Sequence, residues 1–215
     1  MKKIKVIVFD FDGTLVDTKL DIARSVNFLI KEENLPPIPE EKIYEFIGNG
    51  TDILLEKSFS YVHGKIKDGI IDRYFEIYEE HMLDNTRPFP KVLDMLEGIK
   101  DRLALYILTN KHERFAVKIL DHFGILNYFK EVVGADTFSV KKPDPFGIIR
   151  VINKEGVSKE EVLMVGDSVV DIKTGKNAKV LTCGVLWGLG KLDELKKQKP
   201  DFLITKPYEI LDIVN

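Results

Sequence analysis

The 215-residue chain predicts a doubly wound, Rossmann-like parallel α/β sheet interrupted by an all-helical insertion. Three observations predict it. Short runs of β-branched and aromatic residues alternate with helical patterns, and strands alternating with helices build parallel sheets buried on both faces. The first run, Ile4 to Phe9, ends abruptly in Asp10-Phe11-Asp12-Gly13, although a buried carboxylate is costly unless something compensates it. Over residues 16 to 86 the strand pattern lapses and only helical periodicity is found.

Ile4 to Phe9 reads as a buried strand. Asp17 to Glu33 places Leu20, Ile22, Ala23, Val26, Leu29 and Ile30 on one stripe, as an amphipathic helix does, and stops before Leu35-Pro36-Pro37. Glu40 to Phe46 reads as a short helix closed by Gly48-Asn49-Gly50. Thr51 to Phe59 and Ile66 to Met82 read as two more, parted by His63-Gly64. Beyond Arg87-Pro88-Phe89-Pro90 the alternation returns. Lys91 to Asp101 is helical, Leu103 to Leu108 a strand, and Lys111 to Phe123 a helix stopped by Gly124. Val132-Val133 is a short strand, then a loop carries Lys141-Lys142-Pro143-Asp144-Pro145 before a helix from Phe146 to Glu155. Val162 to Val165 is a strand ending in Gly166-Asp167, followed by a helix over Val170 to Ala178 and strands at Val180 to Val185 and Phe202 to Ile204. Residues 1–15 and 87–215 therefore form the α/β core, and 16–86 a helical domain lodged in it.

Apolar residues at 44% and charged residues at 31% give enough of both for a packed core and a soluble surface. A net charge of −3 argues against a nucleic-acid groove or an anionic membrane as partner. Cys183 stands alone, so no internal disulfide forms, which fits a reducing cytoplasm. The apolar run after Met1-Lys2-Lys3 is too short, and too soon acidic, for a signal peptide, and no segment is long enough to span a bilayer.

Asp10, Asp12, Thr109 and Asp167 each terminate an apolar strand run. In a parallel sheet such positions gather along one edge, the edge where open α/β sheets bind ligands. Their chemistry suits phosphoryl transfer. Asp10 can attack phosphorus as a carboxylate nucleophile, and Asp12 can protonate the leaving oxygen and then activate water. Gly13 lets the backbone turn its N–H groups toward phosphate oxygens. Thr109 offers a hydroxyl, Asn110 an N–H at a helix start, and Lys142 a positive charge. Carboxylates facing a phosphate dianion require a divalent cation. Mg²⁺ suits oxygen ligands, with Asp167 ready to hold it and Asp171 four residues on, along the same helical face. Plainer roles exist as well: Thr109-Asn110 and Asp167-Ser168 as helix caps, Asp17 as another cap, and Lys141-Lys142 as a solvated loop. The four histidines lack metal-like grouping and read as surface or packing residues, and Cys183 as a small buried hydrophobe.

Asp10-Phe11-Asp12-Gly13-Thr14, Leu108-Thr109-Asn110, Lys142-Pro143 and Gly166-Asp167-Ser168-Val169-Val170-Asp171 resemble, in order and along the whole chain, motifs I to IV of the haloacid dehalogenase-like hydrolases. The resemblance implies Asp10 as nucleophile, Asp12 as general acid/base, and Thr109 and Lys142 on the phosphate. It implies Mg²⁺ held by Asp10, the Asp12 carbonyl and Asp167, with Asp171 adjacent, and reads the helical insertion as a cap. Within the family the chain looks most like phosphoglycolate phosphatases, through Phe46-Ile47-Gly48-Asn49-Gly50, Lys142-Pro143-Asp144-Pro145 and Gly184-Val185-Leu186-Trp187-Gly188. It departs from them at Pro90-Lys91-Val92, where Pro-Gly-Val is usual, and at Ala178-Lys179, where Ala-Gly is usual. The expected substrate is a small phosphorylated metabolite, chosen by cap residues among which Arg24, Gly48 and Asn49 are candidates. The protein is expected as a monomer or homodimer. Alternatives are a phosphatase for pyrophosphate or a sugar phosphate, a phosphomutase, and, in another class, a receiver-type phosphoacceptor signalling domain. Receivers are shorter, carry an adjacent acidic pair and lack a helical cap.

Overall fold

The computed structural model describes residues 3–214. Six strands form one parallel sheet: β1 (Val6–Phe9), β4 (Ala104–Leu108), β5 (Glu131–Val133), β6 (Val162–Gly166), β7 (Leu181–Val185) and β8 (Phe202–Ile204). Their order is β5-β4-β1-β6-β7-β8, with every pairing parallel. This is the doubly wound arrangement in which strand order reverses about β1 and β6, leaving a crevice beyond their carboxyl ends. The central strands are buried along their whole length, as their apolar sequences require.

Helices α5 (Val92–Ile99), α6 (Glu113–His122), α7 (Phe146–Glu155), α8 (Val169–Ala178), α9 (Leu192–Lys197) and α10 (Glu209–Val214) accompany the sheet. The insertion carries α1 (Lys19–Glu32), α2 (Glu40–Tyr44), α3 (Thr51–Tyr61) and α4 (Ile70–His81). Its apolar stripes join those of the sheet: one continuous cluster runs from Ile7 and Phe9 through Leu15 and Val26 to Leu55 and Tyr78.

Two features at the base of the insertion are invisible to sequence periodicity. The strands β2 (Val16–Asp17) and β3 (Arg87–Pro88) pair antiparallel, Val16 with Pro88 and Asp17 with Arg87, so the outgoing and returning chains meet in a two-residue ribbon. Beside it the buried Asp21 carboxylate accepts hydrogen bonds from Asn85 N (2.9 Å), Asn85 Nδ2 (2.8 Å), Thr86 N (2.7 Å) and Thr86 Oγ1 (2.9 Å). A charged acceptor makes these bonds stronger than neutral ones. The sequence pattern sets most elements to within a few residues but misses α9 and α10, which are only six residues each. It also starts α4 four residues early, because Gly69 in a left-handed conformation defines its true start.

Candidate active site

Asp10 follows β1 and Asp167 follows β6, so the two carboxylates meet at the reversal point of the sheet. Asp171 joins them from the first turn of α8, where it closes a capping box with Ser168: Asp171 Oδ2 accepts from Ser168 N (3.0 Å) and Ser168 Oγ (2.6 Å). Carboxylate oxygens of Asp10, Asp167 and Asp171 all lie within 4.8 Å of one another, and all three residues are buried. Lys142 arrives from the loop before α7 and places Nζ 2.5 Å from Asp10 Oδ1 and 2.6 Å from Asp171 Oδ1. Thr14 Oγ1 lies 3.3 Å from Asp10 Oδ2 and 3.4 Å from Asp167 Oδ1.

A loop after β7 closes over Asp167. Its Oδ2 accepts from Leu189 N (2.7 Å) and Gly190 N (3.2 Å), and Trp187 Nε1 donates to the Thr14 carbonyl (3.0 Å). At Gly13, which takes a φ of +85°, a Cβ would come within 2.8 Å of the Asp167 carboxyl carbon, and at Gly188 a Cβ would strike both Gly13 O and Asp167. The glycines of two motifs thus have one cause: their backbones pack against the same carboxylate.

The charge balance of the cluster is uneven. Among the described residues three carboxylates share one ammonium, an excess of two negative charges when all three are ionised. Burial first, and then Asp171, push the Asp10 carboxyl well above the usual carboxylate range, Lys142 opposing them. Burial and Asp171 likewise raise Asp167 to about 7, against the two N–H donors that favour its charged form. Burial alone would lower Lys142; Asp10 and Asp171 outweigh it and keep the ammonium charged. A small, all-oxygen, doubly negative pocket of this kind fits a divalent cation.

Asp12 points its carboxylate elsewhere. Its Oδ1 accepts from Thr18 Oγ1 (2.5 Å) and pairs with Lys111 Nζ (2.9 Å), and the carboxylate stands outside the cluster of three. The motif resemblance implies its main-chain carbonyl, not this carboxylate, as a cation ligand. Thr109, buried at the end of β4, accepts Lys111 N on its hydroxyl (3.1 Å) and lines the cavity, so a turn cap and an open hydroxyl proton coexist there. The Asn110 side chain is committed to bridging: Nδ2 donates to Gly48 O (3.1 Å) and Lys142 O (3.2 Å), and Oδ1 accepts from Lys142 N (3.0 Å). For a phosphate this leaves Asn110 its main-chain N–H.

The cluster opens into a cavity of about 400 Å³ between the sheet edge and the insertion. Gly48 and Asn49 line it, as expected of the insertion's Gly-Asn-Gly turn. Arg24 does not: its half-exposed side chain pairs with Glu40 at 3.4 Å, and Ile22 is the residue of α1 that faces the cavity. Two residues along a helix is more than half a turn, which carries Arg24 to the opposite side. Sequence periodicity also misses Lys111 and the aromatic wall of Tyr74, Phe75, Tyr78 and Phe115. Lys111 lies two residues before α6 and is nonetheless drawn into the site, its side chain only 7% exposed. Its adjacency to Thr109-Asn110 was the one available signal.

A doubly wound, Rossmann-like sheet with this acidic edge beneath a helical insertion defines a phosphoryl-transfer hydrolase. The chain belongs to the haloacid dehalogenase-like hydrolases, whose family model matches residues 7–185. It is 35% identical to the phosphoglycolate phosphatase of Aquifex aeolicus over 99% of this chain and 97% of that one. It is 32% identical to that of Vibrio cholerae over 100% and 98%. The crystal structure of a predicted phosphoglycolate phosphatase from Haemophilus somnus superposes with a TM-score of 0.92 at 29% identity, covering all of both chains.

Proposed function

We propose that this chain is a phosphoglycolate phosphatase, hydrolysing 2-phosphoglycolate to glycolate and phosphate through an aspartyl-phosphate on Asp10. The observation that carries the reading is the meeting of Asp10, Lys142, Asp167 and Asp171 in one buried cluster at the reversal point of the sheet. The full-length similarity to phosphoglycolate phosphatases supports the substrate. Asp10 attacks phosphorus; its Oδ–P bond forms as the P–O bond to glycolate breaks. Asp12, held on Oδ1 by Thr18 and Lys111, delivers a proton to the departing oxygen. Water then attacks the same phosphorus, Asp12 takes its proton, and phosphate leaves with Asp10 restored. Lys142 and Thr109 hold phosphoryl oxygens, and the Asn110 N–H adds a donor. Asp10, the Asp12 carbonyl and Asp167, with Asp171 adjacent, would hold Mg²⁺, which would supply neutralisation of the charge gathering on phosphorus.

In this reading residues 1–15 and 87–215 are the catalytic core and 16–86 the cap. The Asn110–Gly48 hydrogen bond and the 3.7 Å Lys141–Asp52 pair join the two across the cavity and favour a closed state that excludes water. Among the described residues no helix is long and apolar enough to cross a membrane. The lone buried Cys183 thiol suits a reducing cytoplasm. The test is kcat/KM with Mg²⁺ over a panel of 2-phosphoglycolate, pyrophosphate and sugar phosphates. The largest value falls on 2-phosphoglycolate; a larger value on either other class would overturn the substrate reading.

A further inference from the structure

The site holds a second buried ammonium that hydrolysis of a simple phosphate ester does not require. Lys111 Nζ lies 2.9 Å from Asp12 Oδ1 and 4.7 Å from the centre of the Tyr78 ring, and its side chain is nearly as buried as that of Lys142. Two donors of Lys142 go to Asp10 and Asp171 and its third, in the reading above, to the phosphoryl group, while Lys191, which also lines the cavity, is exposed. Around Lys111 the wall is aromatic. Tyr78 stacks on Tyr74 at 5.8 Å and meets Phe115 edge-on at 5.2 Å. The Tyr78 hydroxyl, also buried, has no hydrogen-bond partner among the described residues. An ammonium has three N–H donors, and the contact to Asp12 uses one. In apolar surroundings the remaining donors bind an anion far more strongly than they would at the surface.

Position decides which anion. Resting on the phosphatase reading above, Asp12 protonates the ester oxygen as the alcohol leaves, so the leaving group lies beside Asp12 and hence beside Lys111. We propose that Lys111 is a specificity-determining residue that binds a carboxylate carried one carbon from the ester oxygen, selecting carboxymethyl-type phosphate esters over neutral alkyl ones. The Tyr78 ring, 4.7 Å from Nζ, fixes the ammonium in place.

The experiment compares 2-phosphoglycolate with ethyl phosphate, which has a leaving group of similar size and no carboxylate. The readout is the ratio of their kcat/KM values in wild type, Lys111→Met and Lys111→Arg, with Lys111→Gln in reserve should Lys111→Met be insoluble. In wild type the ratio is well above one. In Lys111→Met it collapses by on the order of 10²-fold, the usual consequence of removing one partner of a buried charge pair, through KM for 2-phosphoglycolate. Lys111→Arg keeps most of it. A wild-type ratio near one overturns the phosphoglycolate reading and this inference with it. A high wild-type ratio that Lys111→Met leaves intact, both substrates falling together, overturns the role of Lys111 alone.

Discussion

Lys142 Nζ lies 2.5 Å from Asp10 Oδ1, joining buried residues 132 positions apart in the chain. The pair is not self-sufficient. Asp171 takes the same ammonium from the other side, and Asp167 closes the group with no ion pair of its own among the described residues.

Replacing Lys142 with Ala removes the only ammonium that the described residues give this cluster. Losing a charge aimed at a transferring phosphoryl group costs on the order of 10²- to 10³-fold in kcat, and KM rises with it. Steady-state kinetics on p-nitrophenyl phosphate check both. The variant is also less stable, by about 3–5 kcal/mol, since the carboxylates stay buried without their partner.

Chelation with EDTA abolishes turnover and added Mg²⁺ restores it. The cation also acts on stability, in a pH-dependent way. Asp10 and Asp167 bind protons more tightly in the folded protein than in the unfolded chain, with Asp167 raised to about 7. Between the ordinary carboxylate range and about pH 7 the folded state therefore carries more protons, so stability of the cation-free protein falls as pH rises through that window. Thermal melts show Mg²⁺ raising Tm more at pH 8 than at pH 5.5. An equal shift at both values would contradict the burial of uncompensated carboxylates.

Asp21→Asn tests the base of the helical insertion. The amide cannot accept at both termini from the Asn85 and Thr86 donors now bound to the carboxylate. The loss is about 3 kcal/mol, which lowers Tm by about 6–12 °C. Differential scanning calorimetry measures it.

The two departures from the phosphoglycolate phosphatase pattern are backbone effects. Lys91 has a φ of 70° and Lys179 a φ of 60°, both left-handed conformations that glycine adopts without a Cβ clash. Lys179 ends α8 in the position where glycine is most favoured. Lys179→Gly stabilises the protein by about 0.5–1 kcal/mol, net of the chain entropy glycine adds, and a thermal melt registers the rise.

Strand-end carboxylates betray themselves in sequence because an apolar run has no other reason to finish in a charge, and that placed Asp10, Asp12 and Asp167 correctly at one edge of the sheet. Lys142 is less distinct in sequence, since a lysine pair in a loop looks like any solvated turn until its place among the motifs is added. Arg24 lies off the cavity because the helix phase, set by the buried Ile22 and Val26, turns it outward. Lys111, Asp21 and the Tyr78 wall were illegible for a common reason: each is defined by a partner from another element, Asp12, Thr86 or Phe115, and no local pattern encodes such a meeting.

The central claim is that Asp10 itself carries the phosphoryl group between the two half-reactions. Rapid acid quench of the enzyme during turnover, reduction of acyl phosphate with borohydride and peptide mass spectrometry read this directly, because an aspartyl-phosphate is converted to homoserine at the residue that bore it. Homoserine at position 10, absent from Asp10→Asn, is the predicted result. Homoserine at Asp12, Asp167 or Asp171 instead, or full turnover by Asp10→Asn, would contradict it.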